Sequence, residues 1–164
     1  MFDKTTDFSA DKFTPTTWEP AKKKAQFAKQ FIRFIEADFP RRQFTHALYH
    51  RLALTFGHIA HVNRHLFYDT FFTSTEGKLS FLRQIRQWPC YGDPEFTYSD
   101  VERALQSWLL QSDILARYEE RLAQEADAAE RAELARLKGE VRDGINEVVH
   151  RYCFTVKRYE GEEK

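Results

Sequence analysis

The sequence has little glycine (six residues) and little proline (five). Many-stranded sandwiches and barrels need frequent turns, so this shortage argues against them. There are only two cysteines, Cys90 and Cys153, and their spacing matches no metal motif. Reduced thiols in a cytoplasmic compartment are the expectation. No window reaches the about 18 uninterrupted apolar residues of a membrane span, so no membrane association is expected. The opening residues Met1-Phe2-Asp3-Lys4 carry no signal-peptide pattern. G-x-S-x-G, G-x-x-x-x-G-K-[ST] and G-x-G-x-x-G are all missing, so neither a nucleophile elbow nor a phosphate loop is legible, and no cofactor is expected.

What is present is an apolar content of 42%, with 15% aromatic residues, in 164 residues. That suffices for a real core and is too apolar for a disordered chain. The length fits one domain, or one domain with an appendage.

The formal net charge of zero hides a polarity. Residues 1–19 carry a net −2, residues 20–88 a net +8 and residues 89–164 a net −6. Aromatics divide the same way, with twenty in residues 1–100 and five beyond. Three regions are therefore expected: a mobile N-terminal arm (1–15), a basic, aromatic- and His-rich helical module (16–111), and an acidic Ala/Glu/Arg-rich helical region (112–164) with a frayed C-terminus.

Capping signals organise the helices. Thr16-x-x-Glu19 followed by Pro20 reads as the start of a helix running to about Asp38, which Pro40 ends. Its Ala/Phe/Ile side faces inward, and Lys22, Gln26, Lys29 and Arg33 share the opposite side. From Arg41 to Phe72 the apolar residues Phe44, Leu48, Leu52, Ile59, Val62 and Leu66 recur on one stripe, which predicts one long helix with Gly57 as the place for a bend. Thr73-x-x-Glu76 predicts a helix to about Trp88, Pro89 to Pro94 a loop, and Ser99-x-x-Glu102 a further helix.

Two apolar seams follow, Leu115/Tyr118/Leu122 and Leu134/Leu137/Val141/Ile145/Val148/Tyr152, with Asp127-x-x-Glu130 between them. A hairpin turning near Gln124 to Ala129 would cover both seams, and it is preferred over a single rod. Cys153 to Lys157 has the pattern of a short strand. The expectation is an all-α, compact bundle of five or six helices with a long C-terminal helical hairpin, whose helices also offer a homo-oligomer interface.

Five of six histidines, His46, His50, His58, His61 and His65, lie within twenty residues. On one helix they would share an arc of roughly 120°, opposite the apolar stripe. One straight helix gives an ion at most two ligands, because His58 and His65 would already be about 10 Å apart along the axis. H-E-x-x-H is missing, as are the paired E-x-x-H motifs of di-iron bundles, so no metal site is expected. Arg41-x4-His46 and Arg51-x6-His58 are similar in spacing to the Arg-x(4–6)-His motif of HEPN ribonucleases. That family's usual polar residue after the arginine is replaced here by Arg42 and Leu52, so the spacing does not establish membership.

The stronger lead is the basic module, because phosphate attraction joined to flat hydrogen-bonding rings suits nucleic acid. The expected binding residues are Lys22, Lys29, Arg33, Arg41, Arg42, His58, His61, Arg64 and His65. The expected function is a small non-enzymatic binding or regulatory protein acting on nucleic acid or on a nucleoprotein or protein complex with an acidic surface. An accessory subunit or a phage- or plasmid-type inhibitor would fit this. The competing class is a His-dependent hydrolase, either metal-dependent or HEPN-like.

Overall fold

A computed structural model describes residues 7–87 and 92–160, with side chains as far as Phe154. The expected loop residues Pro89, Cys90 and Tyr91, and the expected helix end at Trp88, lie outside the described residues. The chain is all-α. Among the described residues six helices follow in order: α1 (Ala21–Glu36), α2 (His46–Thr55), α3 (Arg64–Phe71), α4 (Thr75–Gln87), α5 (Ser99–Gln111) and α6 (Ile114–Glu160). Short 3-10 turns occupy Ala10–Lys12 and Arg41–Gln43. Among the described residues, no helix is long and apolar enough to cross a membrane.

The chain divides into two compact units, one reaching Leu122 and the other starting at Ala123. In the first, α1 packs on α2 and α5, α3 on α4, and α5 also meets α2 and α4. Phenylalanine fills the centre. Phe39 stacks on Phe72 with ring centroids 4.6 Å apart, Phe72 meets Phe81 edge-on at 5.0 Å, and Phe34 touches Phe39, Phe44 and Phe72. These rings are buried, so they hold the bundle together and are no platform for bases.

The boundary lies about ten residues beyond the expected one at 112. The reason is packing, since Ile114 and Tyr118 are buried in the first unit's core and Leu115 and Leu122 pack against it. The expected mobile arm also needs correcting for its described part. Phe8 and Phe13 are buried, and Thr14 N donates to Asp100 Oδ2 at 2.9 Å.

α1 begins at Ala21, with Pro20 in extended conformation before it. Thr16 Oγ1 accepts from Glu19 N at 2.9 Å as a capping residue would, but Glu19's carboxylate turns away to Arg51 and Tyr98. The helix ends where Phe39 N donates to Phe34 O at 2.9 Å, with Asp38 and Phe39 both left-handed at φ 67° and 56°. Aspartate tolerates this region, whereas a buried phenylalanine is an outlier there, held by the rings around it.

The expected single helix from Arg41 to Phe72 is two helices. Thr45 caps α2 by accepting from Leu48 N at 3.2 Å, and Asn63 caps α3 by accepting from Leu66 N at 2.9 Å. Between them Phe56 and Ile59 remain buried, so the apolar spacing continues through a loop. At α4 the cap is Ser74, not Thr73; its Oγ accepts from Gly77 N at 3.0 Å. Gly77 is required here, because a Cβ would stand 2.8 Å from Phe71 O. Ser99 opens α5, and its hydroxyl donates to Gly92 O at 3.0 Å.

The expected C-terminal hairpin is also corrected. α6 is one unbroken helix of 47 residues, through Gln124 to Ala129 and through the segment Cys153 to Lys157 that patterned as a strand. No proline or left-handed residue interrupts it, and Arg131 Nε still donates to Asp127 O within the helix at 3.2 Å.

Candidate functional site

Two polar networks stitch the first unit and account for several of its charges. In one, Lys24 Nζ lies 2.9 Å from Asp100 Oδ1 and donates to Pro94 O at 2.8 Å, fully buried beside the Tyr98 ring. Arg51 donates to Glu19 at 2.8 Å, and the Tyr98 hydroxyl donates to the other Glu19 oxygen. Burial works against the Glu19 charge, but the Tyr98 hydrogen bond and Arg51 outweigh it and hold the carboxyl below its usual range. Burial, followed by Glu19, pushes Tyr98 up to about 12.

The second network centres on Asp38. It accepts from Tyr118 at 2.6 Å, and Lys78 and Arg121 stand 3.0 and 2.9 Å away. Burial opposes its charge, but the Tyr118, Lys78 and Arg121 hydrogen bonds win and lower its pKa. The left-handed end of α1 is therefore also the point where α4 and α6 are tied down.

The expected binding residues fall into three sets. Lys22, Lys29 and Arg33 are exposed on one face of α1, and among the described residues no ion pair holds any of them. Arg41 and Arg64 are engaged locally. Arg41 pairs with Asp69 at 3.2 Å and lies over the Tyr68 ring at 4.9 Å, while Arg64 donates to Phe44 O at 2.7 Å. Arg42, His61 and His65 are exposed on the turn before α2, in the loop before α3 and on α3. His58 lies in the same loop, and burial lowers its pKa.

The histidine face of a single helix does not exist. His46 and His50 belong to α2, His58 and His61 to the loop, and His65 to α3, all exposed. Among the described residues, no three His, Cys, Asp or Glu side chains come together to hold a metal ion. The one Glu-x-x-His pair, Glu147 and His150, is exposed on α6; Glu147 binds Arg151 at 2.7 Å and His150 tilts against Phe154. Of the two HEPN-like spacings, Arg51 is half-buried and holds Glu19, and Arg41 holds Asp69.

Lys24 shares the inward face of α1 with Ala28 and Phe31 at helical spacing, which separates it from the exposed cations of that helix. Comparison with known protein families, with characterised proteins and with solved structures finds no match to this chain.

Proposed function

We propose that this chain is a small non-enzymatic binding protein whose first unit engages the phosphate backbone of nucleic acid, alone or within a nucleoprotein complex. The observation that carries the reading is the sorting of charge on α1. Lys24 is buried and neutralised by Asp100, whereas Lys22, Lys29 and Arg33 project together from the opposite face. Three cations one helical turn or two apart follow a row of phosphates without needing a base-reading motif. Arg42, His61 and His65 add exposed donors on neighbouring elements. Binding of this kind is sequence-tolerant, which suits an accessory subunit or an antagonist of nucleic-acid machinery.

The test is fluorescence anisotropy with labelled single- and double-stranded RNA and DNA across a salt series. The triple variant Lys22→Glu, Lys29→Glu, Arg33→Glu keeps the apolar side of α1 intact. It should fold and lose affinity by orders of magnitude at moderate salt. If the wild-type protein shows no salt-sensitive binding to any of these, the reading fails, and a protein with an acidic surface becomes the explanation of the same residues.

A further inference from the structure

The second unit carries an apolar face that nothing within that unit covers. Leu134, Leu137, Val141, Ile145, Val148 and Tyr152 recur on one side of α6, with exposures from 42% at Leu137 to 73% at Tyr152. A water-facing helix does not ordinarily hold six large apolar side chains in line. Their spacing is three, four, four, then three, four, so the block Leu134/Leu137/Val141 repeats eleven residues later as Ile145/Val148/Tyr152. An eleven-residue period nearly matches a straight α-helix and keeps the stripe facing one partner helix with only slight supercoiling.

The flanks of the stripe differ in sign. Arg131, Lys138 and Arg142 lie along one edge; Glu133 and Glu140 lie along the other, which Arg151 joins at its C-terminal end, with Glu147 further back. When two copies of one helix pair in parallel, the opposite edges meet, so the acidic edge of each faces the basic edge of the other. An antiparallel pair would bring like edges together. Glu133 and Lys138, five residues apart, have the spacing of a cross-chain pair in a parallel coiled coil.

The other charges near the stripe allow this arrangement. Arg136, on the back of the helix, already binds Glu133 at 2.6 Å and also Glu140, and Arg151 binds Glu147, also towards the back, at 2.7 Å. A carboxylate has lone pairs for a further donor, so these pairs fix the acidic edge without closing it. A membrane surface is the poorer occupant, because helices that lie on lipid have a polar face rich in Lys and Arg, and here Glu133, Glu140, Asp143 and Glu147 offset the cations.

We infer that the second unit is a homodimerisation element in which α6 pairs in parallel, in register, with α6 of a second copy of this chain along Leu134 to Tyr152. The inference does not rest on the nucleic-acid reading, since it uses none of the same residues.

Sedimentation equilibrium of the full chain tests it. The wild-type protein should weigh about twice 19.5 kDa at micromolar concentration. Val141→Asp with Val148→Asp should raise the dissociation constant by on the order of a hundredfold or more, because it buries unpaired charge in the seam. Its near-ultraviolet circular dichroism should stay that of the wild type, since both sites lie outside the first unit's core. Orientation is read separately in a Cys90→Ser, Cys153→Ser background carrying Val148→Cys. In-register parallel helices put the two new thiols side by side, and mild oxidation should give a disulfide-linked dimer in high yield. A monomeric wild type overturns the inference, as does a dimer unaffected by the aspartates. A dimer whose Val148→Cys variant does not cross-link overturns the parallel arrangement.

Discussion

Lys24 and Asp100 meet 2.9 Å apart inside the first unit, with the ammonium wholly buried and the carboxylate mostly so. The pair is asymmetric in what surrounds it. Asp100 also accepts from Thr14 N and Val101 N, both at 2.9 Å, whereas among the described residues Lys24 has the carboxylate and the Pro94 carbonyl as its hydrogen-bond acceptors. Removing the carboxylate leaves a buried cation; removing the ammonium leaves an anion that keeps two backbone donors. Asp100→Ala should therefore destabilise the first unit by about 3–5 kcal/mol. Lys24→Met should cost clearly less, and the double variant less than the sum of the two. Urea unfolding of the three variants checks this, and equal costs for the two single changes would count against it.

Stability should fall at both ends of the pH scale. The Asp38 and Glu19 carboxyls are held below their usual values when folded, so the unfolded chain takes up protons first as pH drops. Their contribution is complete above the ordinary carboxyl range, about 4, and is lost as pH falls through the lowered folded values. Tyr98 has the opposite sign. Its folded pKa of about 12 lies above the ordinary phenol value near 10, so its contribution is complete below about 10 and lost as pH rises toward 12. Thermal melts from pH 2 to 12 should show both limbs. Tyr98→Phe should flatten the alkaline one, with Tyr118, also raised by burial and by Asp38, supplying the remainder.

Two glycines should respond oppositely to alanine. At Gly77 the new methyl would meet backbone oxygens of Phe71 and Thr70 at 2.8 and 2.9 Å, which cannot yield without parting α3 from α4. At Gly139 nothing lies within 4 Å, and the residue sits inside a helix. Gly139→Ala should raise helix stability by about 1 kcal/mol, and Gly77→Ala should lower the melting temperature of the first unit. Far-ultraviolet circular dichroism and calorimetry read the two effects.

Much of this architecture could be read from local signals. The inward face of α1, from Ala25 to Ile35, follows from helical spacing, and α4 and α5 begin within two residues of their expected starts. The break between α2 and α3 was hidden because Ile59 stays buried in a loop, so the apolar period runs on where the helix does not. Asn63, an N-cap type one residue before α3, was the available signal. The hairpin expectation came from requiring each seam to be covered within the chain. In fact Tyr118 joins the first unit's core, whereas Val141 and Val148 stay exposed on an uninterrupted helix. The histidine face depended on one straight helix and disappears with it. The basic edge of α1 depended only on spacing within a true helix, so its exposure was legible.

The most direct measurement of the central claim is the salt dependence of nucleic-acid affinity for the wild type and for Lys22→Gln, Lys29→Gln, Arg33→Gln. Each phosphate contact contributes about 0.7–0.9 to the slope of log affinity against log salt, so losing three should reduce its magnitude by roughly 2–3. The account predicts that reduction, with the fold unchanged. A variant with the wild-type slope would contradict it, because the α1 cations would then not be the ones facing phosphate.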